Sequence, residues 1–191
     1  MLTFTYAVMG SSKSAQALIT RYNYIQKGFN VILLKPSIDN REISTKTRTV
    51  SSRIGISADC VVFGSQENLI GLFIKYLDYY KENIVIVDEA QFCTKKQINE
   101  LRLLAKRINI MCYGLKTNYK SELFEGSKRL VEVADKLEEI PYICRCGKKA
   151  LINARMINGR PIVEGNEIDI GGDEKYESLC FECWDKLLNT K

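Results

Sequence analysis

Short apolar runs rich in β-branched residues recur along the chain, separated by longer segments whose apolar residues return every three or four positions. Thr3 to Tyr6, Val31 to Leu34, Cys60 to Phe63, Ile84 to Val87 and Ile108 to Tyr113 read as strands. The run Ile84 to Val87 is wholly apolar and does not alternate, which suits a strand covered on both faces of a parallel sheet. Between the strands lie helical patterns. Ala15 to Lys27 carries Leu18, Tyr22 and Ile25 at helical spacing and meets Gly28 where a helix would end. Gln66 to Lys81 places Leu69, Leu72, Phe73, Tyr76, Leu77 and Tyr80 on one face, a stripe that reads as core packing. Thr94 and Gln97 have the capping-box spacing ahead of Ile98, Leu101, Leu104 and Ala105, and a further helix is expected from about Lys128 to Asp135. Strands and helices alternating in this way predict a mostly parallel sheet with helices on both faces, extending to about Ile140. Two stretches lack any period and read as long functional loops: Ser37 to Ser57, with Arg41, Arg48 and Arg53, and Gly114 to Gly126, with Tyr119 and Phe124.

The pattern changes after Pro141. Cys144 and Cys146 are answered by Cys180 and Cys183, with two hairpin strands between them and a tight turn at Asn158 and Gly159. Two close cysteine pairs fit a tetrahedral structural zinc site, which can hold together a segment too small for its own core. Four buried reduced thiols are the plainer reading, but paired clusters in a short segment favour metal. Cys60, Cys93 and Cys112 fall at strands or strand ends and read as core residues.

Composition narrows the chemistry. The 191 residues, 46% hydrophobic, fit one ordinary domain or one with a small appendage. No apolar run is long enough to span a bilayer and the first residues lack signal-peptide features, so the expected location is the cytoplasm. The absence of His excludes Ser-His-Asp and Cys-His catalysis and leaves acid–base work to Glu, Asp, Lys, Tyr or Cys. A net charge of +5 is compatible with anionic small molecules and does not by itself separate them from nucleic acid.

Two stretches carry candidate chemistry. The buried strand Ile84 to Val87 stops at Asp88 and Glu89, two acids at the rim where open α/β sheets bind ligands. One acid there can hold a phosphate-bound magnesium and its neighbour can act as a base toward a hydroxyl, although strand-end acids are also common in plain turns. The small-residue loop from Ala7 to Ser14, between a strand and a helix, is set like a phosphate-binding loop. Lys13 and Ser14 occupy the Lys and hydroxyl positions of that motif, while Ala7 and Ser12 stand where it has Gly. A left-handed backbone at Ser12 would cost about 1–2 kcal/mol.

Together these residues resemble the thymidine kinase family shared by animals, poxviruses and many bacteria. The resemblance runs through the loop from Met9 to Ser14, Val50 to Ile56, Asp88 to Phe92, Tyr113 to Phe124, the cysteine pairs and Ile170 to Tyr176. It implies a P-loop NTPase-like α/β domain over residues 1–140 and a small zinc-binding domain with a lasso loop over residues 141–191. It further implies transfer of the ATP γ-phosphoryl group to the 5′-hydroxyl of thymidine, with Mg2+, a structural Zn2+, a homotetramer and thymidine triphosphate as feedback inhibitor. On matching positions, Met9, Gly10, Ser11, Ser12, Lys13 and Ser14 would surround the phosphates, with Asp88 and Gln91 beside them. Ser14 and Asp88 would hold magnesium, Glu89 would take the hydroxyl proton, and Arg53 and Arg155 would neutralise the transferring phosphate. Met9, Phe92, Leu115, Tyr119 and Phe124 would wall the thymine pocket. The lasso, with Ile170, Gly171, Gly172 and Tyr176, would close over the nucleoside. Three positions depart from the family pattern: Ser12 replaces Gly, Ala15 follows Ser14 where a second hydroxyl is common, and Phe181 follows Cys180 where many relatives have Arg.

Two other functions compete. A kinase-like sensor of nucleotides or nucleosides with a degraded phosphate loop would not need Lys13, Asp88 and Glu89 together, and all three are present. A zinc ribbon that binds nucleic acid should show basic residues interleaved with aromatics, but Glu164, Glu167, Asp169, Asp173, Glu174, Glu177 and Glu182 make that region acidic, so no direct nucleic-acid binding is expected.

Overall fold

The computed structural model describes residues 1–37, 49–165 and 176–189. Six strands form one parallel sheet: β1 (Leu2–Ala7), β2 (Asn30–Pro36), β5 (Val61–Phe63), β6 (Asn83–Val87), β7 (Asn109–Leu115) and β8 (Lys136–Glu139). Their order is β5-β2-β6-β7-β1-β8, so β6 and β7 lie at the centre with neighbours on both sides. Ile84, Val85, Ile86 and Val87 are all buried, as expected of a strand covered on both faces. Two apolar clusters account for that cover. One face meets Leu69, Phe73, Ile98, Leu101 and Leu130 from the helices α2 (Leu69–Tyr76), α3 (Lys95–Leu104) and α4 (Glu125–Val133). The other meets Ala17 and Leu18 of α1 (Lys13–Gln26) and Val50 of the short hairpin β3 (Thr49–Ser51) and β4 (Ser57–Asp59).

Several expected elements differ in extent. The stripe from Leu69 to Tyr80 is buried only as far as Phe73, with Leu77 half-buried; α2 ends at Tyr76, and Tyr80 lies beyond it, exposed. On α1 the buried residues are Ala15, Ala17 and Leu18, whereas Tyr22 and Ile25 face outward, so the Leu18–Tyr22–Ile25 face is not the packed one. The helix expected from Lys128 runs from Glu125 to Val133, and β8 follows it. β8 is a strand of Lys, Leu and two Glu at the sheet edge, where Lys136–Glu138 and Lys149–Glu139 ion pairs discourage further strand pairing. Part of the polar stretch after Ser37 forms the β3–β4 hairpin, while residues 38–48 lie outside the described residues.

Polar anchors fix the connections. Thr94 and Gln97 form the expected capping box, and the Gln97 side chain also donates to the carbonyls of Gly64 and Glu67. The buried Glu100 carboxylate accepts from the Leu69 amide at 2.7 Å, satisfying a free N–H at the start of α2.

Beyond β8 the chain builds an antiparallel sheet in the order β10-β9-β11, from β9 (Ile152–Ile157), β10 (Arg160–Ile162) and β11 (Tyr176–Leu179). Asn158 and Gly159, both at positive φ (49° and 77°), make the predicted tight turn between β9 and β10. A short helix, α5 (Phe181–Asn189), closes this part of the chain. Its core comprises Cys144, Ala150, Ala154, Leu179 and Cys180, and it includes Val8 from the loop after β1. Among the described residues no helix is long and apolar enough to cross a membrane.

Candidate active site

β1 and β6 deliver the two candidate stretches to the same end of the parallel sheet. At the end of β1 the chain turns through Gly10 (φ 79°) and Ser12 (φ 64°, ψ 26°) into α1. Ser12 is therefore in the left-handed region, as its place in the motif requires, and its side chain makes no cap hydrogen bond that would offset the strain. Inside the loop, the carbonyl of Val8 accepts from the Lys13 ammonium at 2.8 Å and from the Ser11 hydroxyl at 2.7 Å. Lys13 thus points back across the loop and closes it around its own backbone.

Ser14 joins the loop to the end of β6. Ser14 Oγ donates to Asp88 Oδ2 at 2.8 Å. Burial pushes the Asp88 carboxyl up to about 6, and the adjacent Glu89 carboxylate adds to the rise; the hydrogen bonds from Ser14 and the Glu89 backbone, with the charge of Lys13, oppose it. Glu89 is half-exposed and, like Ser12, has left-handed backbone (φ 56°), so a non-glycine residue with unfavourable geometry stands at each side of the site. After it, a single turn of 3-10 helix (Ala90–Phe92) carries the chain toward α3.

Gln91 ties Glu89 to the next strand. Its amide nitrogen donates to Glu89 Oε2 at 2.5 Å and its amide oxygen accepts from the Leu115 N–H at 3.0 Å. The side chain fits because Gly114 has none: a Cβ there would lie 2.6 Å from Gln91 Oε1. Gly126 has a similar role on the other side, where a Cβ would come within 2.6 Å of the carbonyls of Ala90 and Cys93. Phe92 and Phe124 pack edge to face, with ring centroids 5.6 Å apart, and Ser127 donates to the Leu115 carbonyl. Phe92, Leu115 and Phe124 are therefore brought together beside Glu89.

Tyr119 lies in the same loop but turns toward the second sheet. Its hydroxyl donates to the Glu164 carbonyl at 3.2 Å, and the Arg155 guanidinium sits 5.6 Å over its ring. Arg155 is thus held against an aromatic face. Arg53, after β3, approaches Gly10 and lines a cavity of about 260 Å³ with Met9, Tyr142, Tyr176 and Ser178. Of the expected lasso, Tyr176 opens β11, while Ile170, Gly171 and Gly172 lie outside the described residues.

The cysteines converge. The sulfurs of Cys144, Cys146, Cys180 and Cys183 all lie within 4.8 Å of one another, and Cys146 Sγ is 3.6 Å from Cys180 Sγ. A zinc tetrathiolate with Zn–S of about 2.3 Å has S···S edges of about 3.8 Å, so the cage is of the right size. Burial alone would raise the Cys144 thiol, but hydrogen bonds from the backbone at Cys146 and Cys180 draw it down to about 7. Cys60, Cys93 and Cys112 are buried in the main core as expected, and burial pushes Cys112 up to about 12.

Some polar residues at the site were not anticipated. The buried Asn118 organises the loop after β7 by accepting from the amides of Lys120 and Glu122. Asn153 and Ser178 contact the phosphate loop from the second sheet. Isolated Asn and Ser residues in strands carry no local signal, since their partners are distant in the chain.

A strand, a Lys- and Ser-bearing loop and a helix set against an acidic strand end are the architecture of a phosphate-loop phosphotransferase. The chain matches the family model for thymidine kinase over residues 1–184 and belongs to that family. It is 43% identical over 190 residues to the thymidine kinase of Enterobacteria phage T4, covering 97% of this chain and 96% of that protein. The thymidine kinases of Shewanella oneidensis and Haemophilus influenzae are 41% and 42% identical over 182 residues, covering 94% of this chain and 93% of each of those proteins.

The geometry at Ser12 leads to a definite expectation. The left-handed backbone at Ser12 carries a strain of about 1–2 kcal/mol. Ser12→Gly removes that strain, while the greater freedom of unfolded Gly returns about 0.4–1 kcal/mol. The net gain of about 0–1.6 kcal/mol should raise the melting temperature of Ser12→Gly by up to about 6 °C. A lower melting temperature would show that Ser12 is not strained.

Proposed function

We propose that this chain is a thymidine kinase that transfers the γ-phosphoryl group of ATP to the 5′-hydroxyl of thymidine, giving thymidine monophosphate and ADP. The observation that carries the reading is the continuous line from Ser14 through Asp88 and Glu89 to Gln91, within a chain matched to the family over nearly its whole length. Phosphoryl transfer asks the protein mainly for positioning and charge. The amides of Gly10 to Ser14 and the Lys13 ammonium hold the β- and γ-phosphates, for which Lys13 exchanges its contact with the Val8 carbonyl. Mg2+ fits the paired oxygens of Ser14 and Asp88, and when bound it neutralises phosphate charge.

Glu89 accepts the proton of the 5′-hydroxyl as that oxygen attacks. The Gln91 amide holds its carboxylate in one orientation, and Glu89 is half-exposed while Asp88 beside it is buried. Phe92, Leu115, Phe124, Tyr119 and Met9 wall the base. Arg53 and Arg155 supply charge near the transferring group, Arg155 from its stacked position on Tyr119. The stretch from Arg155 to Tyr176 corresponds to the family's lasso, and of it residues 166–175 lie outside the described residues.

The four cysteines hold a structural zinc ion, and the chain divides into a nucleotide-binding domain over residues 1–140 and a zinc-binding and lasso domain over residues 141–191. The exposed apolar residues Ile19, Tyr22 and Ile25 of α1 support assembly with other copies, into the homotetramer usual for the family. Thymidine triphosphate as feedback inhibitor and a cytoplasmic location complete the reading.

Incubation of the purified chain with ATP, Mg2+ and thymidine should yield thymidine monophosphate, and Lys13→Ala should abolish it. Glu89→Gln should still bind thymidine while slowing turnover by roughly 10²- to 10⁴-fold. No product above the Lys13→Ala control would reject the activity, and an unchanged kcat in Glu89→Gln would reject the base. Metal analysis should find one zinc per chain, lost when Cys180 and Cys183 are both replaced by Ser. Zinc retained by that double variant would exclude the four-cysteine site.

A further inference from the structure

The Val8–Met9 peptide is gripped from both sides. Its carbonyl, on Val8, accepts from Lys13 Nζ and Ser11 Oγ within the phosphate loop. Its N–H, on Met9, donates to Asn153 Oδ1 at 2.7 Å, and the following carbonyl of Met9 accepts from Ser178 Oγ at 2.9 Å. Asn153 and Ser178 are directly opposite each other on β9 and β11, so one cross-strand pair of the second sheet takes both polar backbone groups of Met9. Asn153 is buried, and its amide nitrogen is fixed by the Thr117 carbonyl at 3.1 Å, which aims its oxygen at Met9. Val8 meanwhile packs its side chain with Cys144, Ala154, Leu179 and Cys180.

A peptide is planar, so holding its N–H fixes where its carbonyl points. Asn153 therefore sets the direction of the Val8 carbonyl, and through it the resting place of Lys13. We infer that Asn153 and Ser178 are positioning residues for phosphoryl transfer, which hold the Val8–Met9 segment in the nucleotide-binding shape and connect the cysteine cluster to the phosphate loop. Ser178 lies two residues before Cys180, so the metal cage anchors the strand that carries the clamp. The inference rests on the phosphate-binding role given above to this loop.

The test compares ATP binding and steady-state kinetics of the full-length protein with those of Ser178→Ala, Ser178→Thr, Asn153→Ala and the double alanine variant. Zinc content and melting temperature are measured in parallel. Each lost hydrogen bond to the loop should lower kcat/KM for ATP about three- to tenfold, with one zinc per chain retained. Ser178→Thr keeps the hydroxyl and should restore the value. Because both residues hold one segment, the double variant should lose less than the product of the single losses.

Unchanged ATP binding and kcat/KM, with only a lower melting temperature, would overturn the inference by reducing both residues to structural ones. Losses in the double variant that multiply fully would overturn the single clamp. If Asn153→Ala does not fold, the Ser178→Ala and Ser178→Thr pair decides, since Ser178 lies only partly buried at the cavity wall. A wild-type chain that neither binds ATP nor phosphorylates thymidine would instead refute the proposed function, and the clamp with it.

Discussion

Asp88 closes a buried strand at the centre of the sheet and has to place a carboxylate where water is largely excluded, and the rest of the site is arranged around that difficulty. Val87 before it is fully buried, Glu89 after it brings a second negative charge, and the nearest opposing groups are the Ser14 hydroxyl and the Lys13 ammonium. Burial raises its value from 3.8 to about 6. A carboxyl whose folded value lies above its unfolded one costs stability progressively as pH rises from about 4 to about 6, because the folded state binds the proton more tightly across that window. At neutral pH the protein therefore carries a carboxylate that it would be more stable without. Such a cost fits the magnesium and phosphate proposed for this carboxylate, and it stands beside the left-handed backbone at Ser12 and Glu89 as strain concentrated at one place.

What supports that strain is polar contact over long sequence distances. Ser14 reaches Asp88, Gln91 spans from Glu89 to Leu115, and Asn153 and Ser178 reach back to Met9. The glycines at positions 114 and 126 matter for the same reason, since each leaves room for the turn after β6 to press against its neighbours. The cysteine cluster extends this support to the second sheet, whose core is small and includes Val8 from the phosphate loop. A metal held there, as proposed above, would support the shape of this loop as well as local folding.

The parallel sheet, the central strand with its terminal acids, the strand–loop–helix that bears Lys13 and Ser14 and the clustering of the cysteines were all legible in the sequence, because each rests on a local pattern or a fixed spacing. β8 was not. Its residues are Lys, Leu and two Glu, with no apolar run, and it exists because β1 offers an open edge to pair with. The outward turn of Tyr22 and Ile25 on α1 was not legible for a related reason. Periodicity shows that a face is apolar but not what covers it, and here small residues, Ala15 and Ala17, bring the helix close to the sheet instead. Asn153 and Ser178 were invisible because their importance lies in partners more than a hundred residues away.

Direct titration of the Asp88 carboxyl by carbon-13 NMR, with and without magnesium and a non-hydrolysable ATP analogue, tests whether the site is built around this one charge. The account predicts a value near 6 in the free protein, clearly above the usual 3.8, falling when metal and nucleotide bind. A value near 3.8 in the free protein, or a raised one that metal and nucleotide leave unchanged, would contradict it.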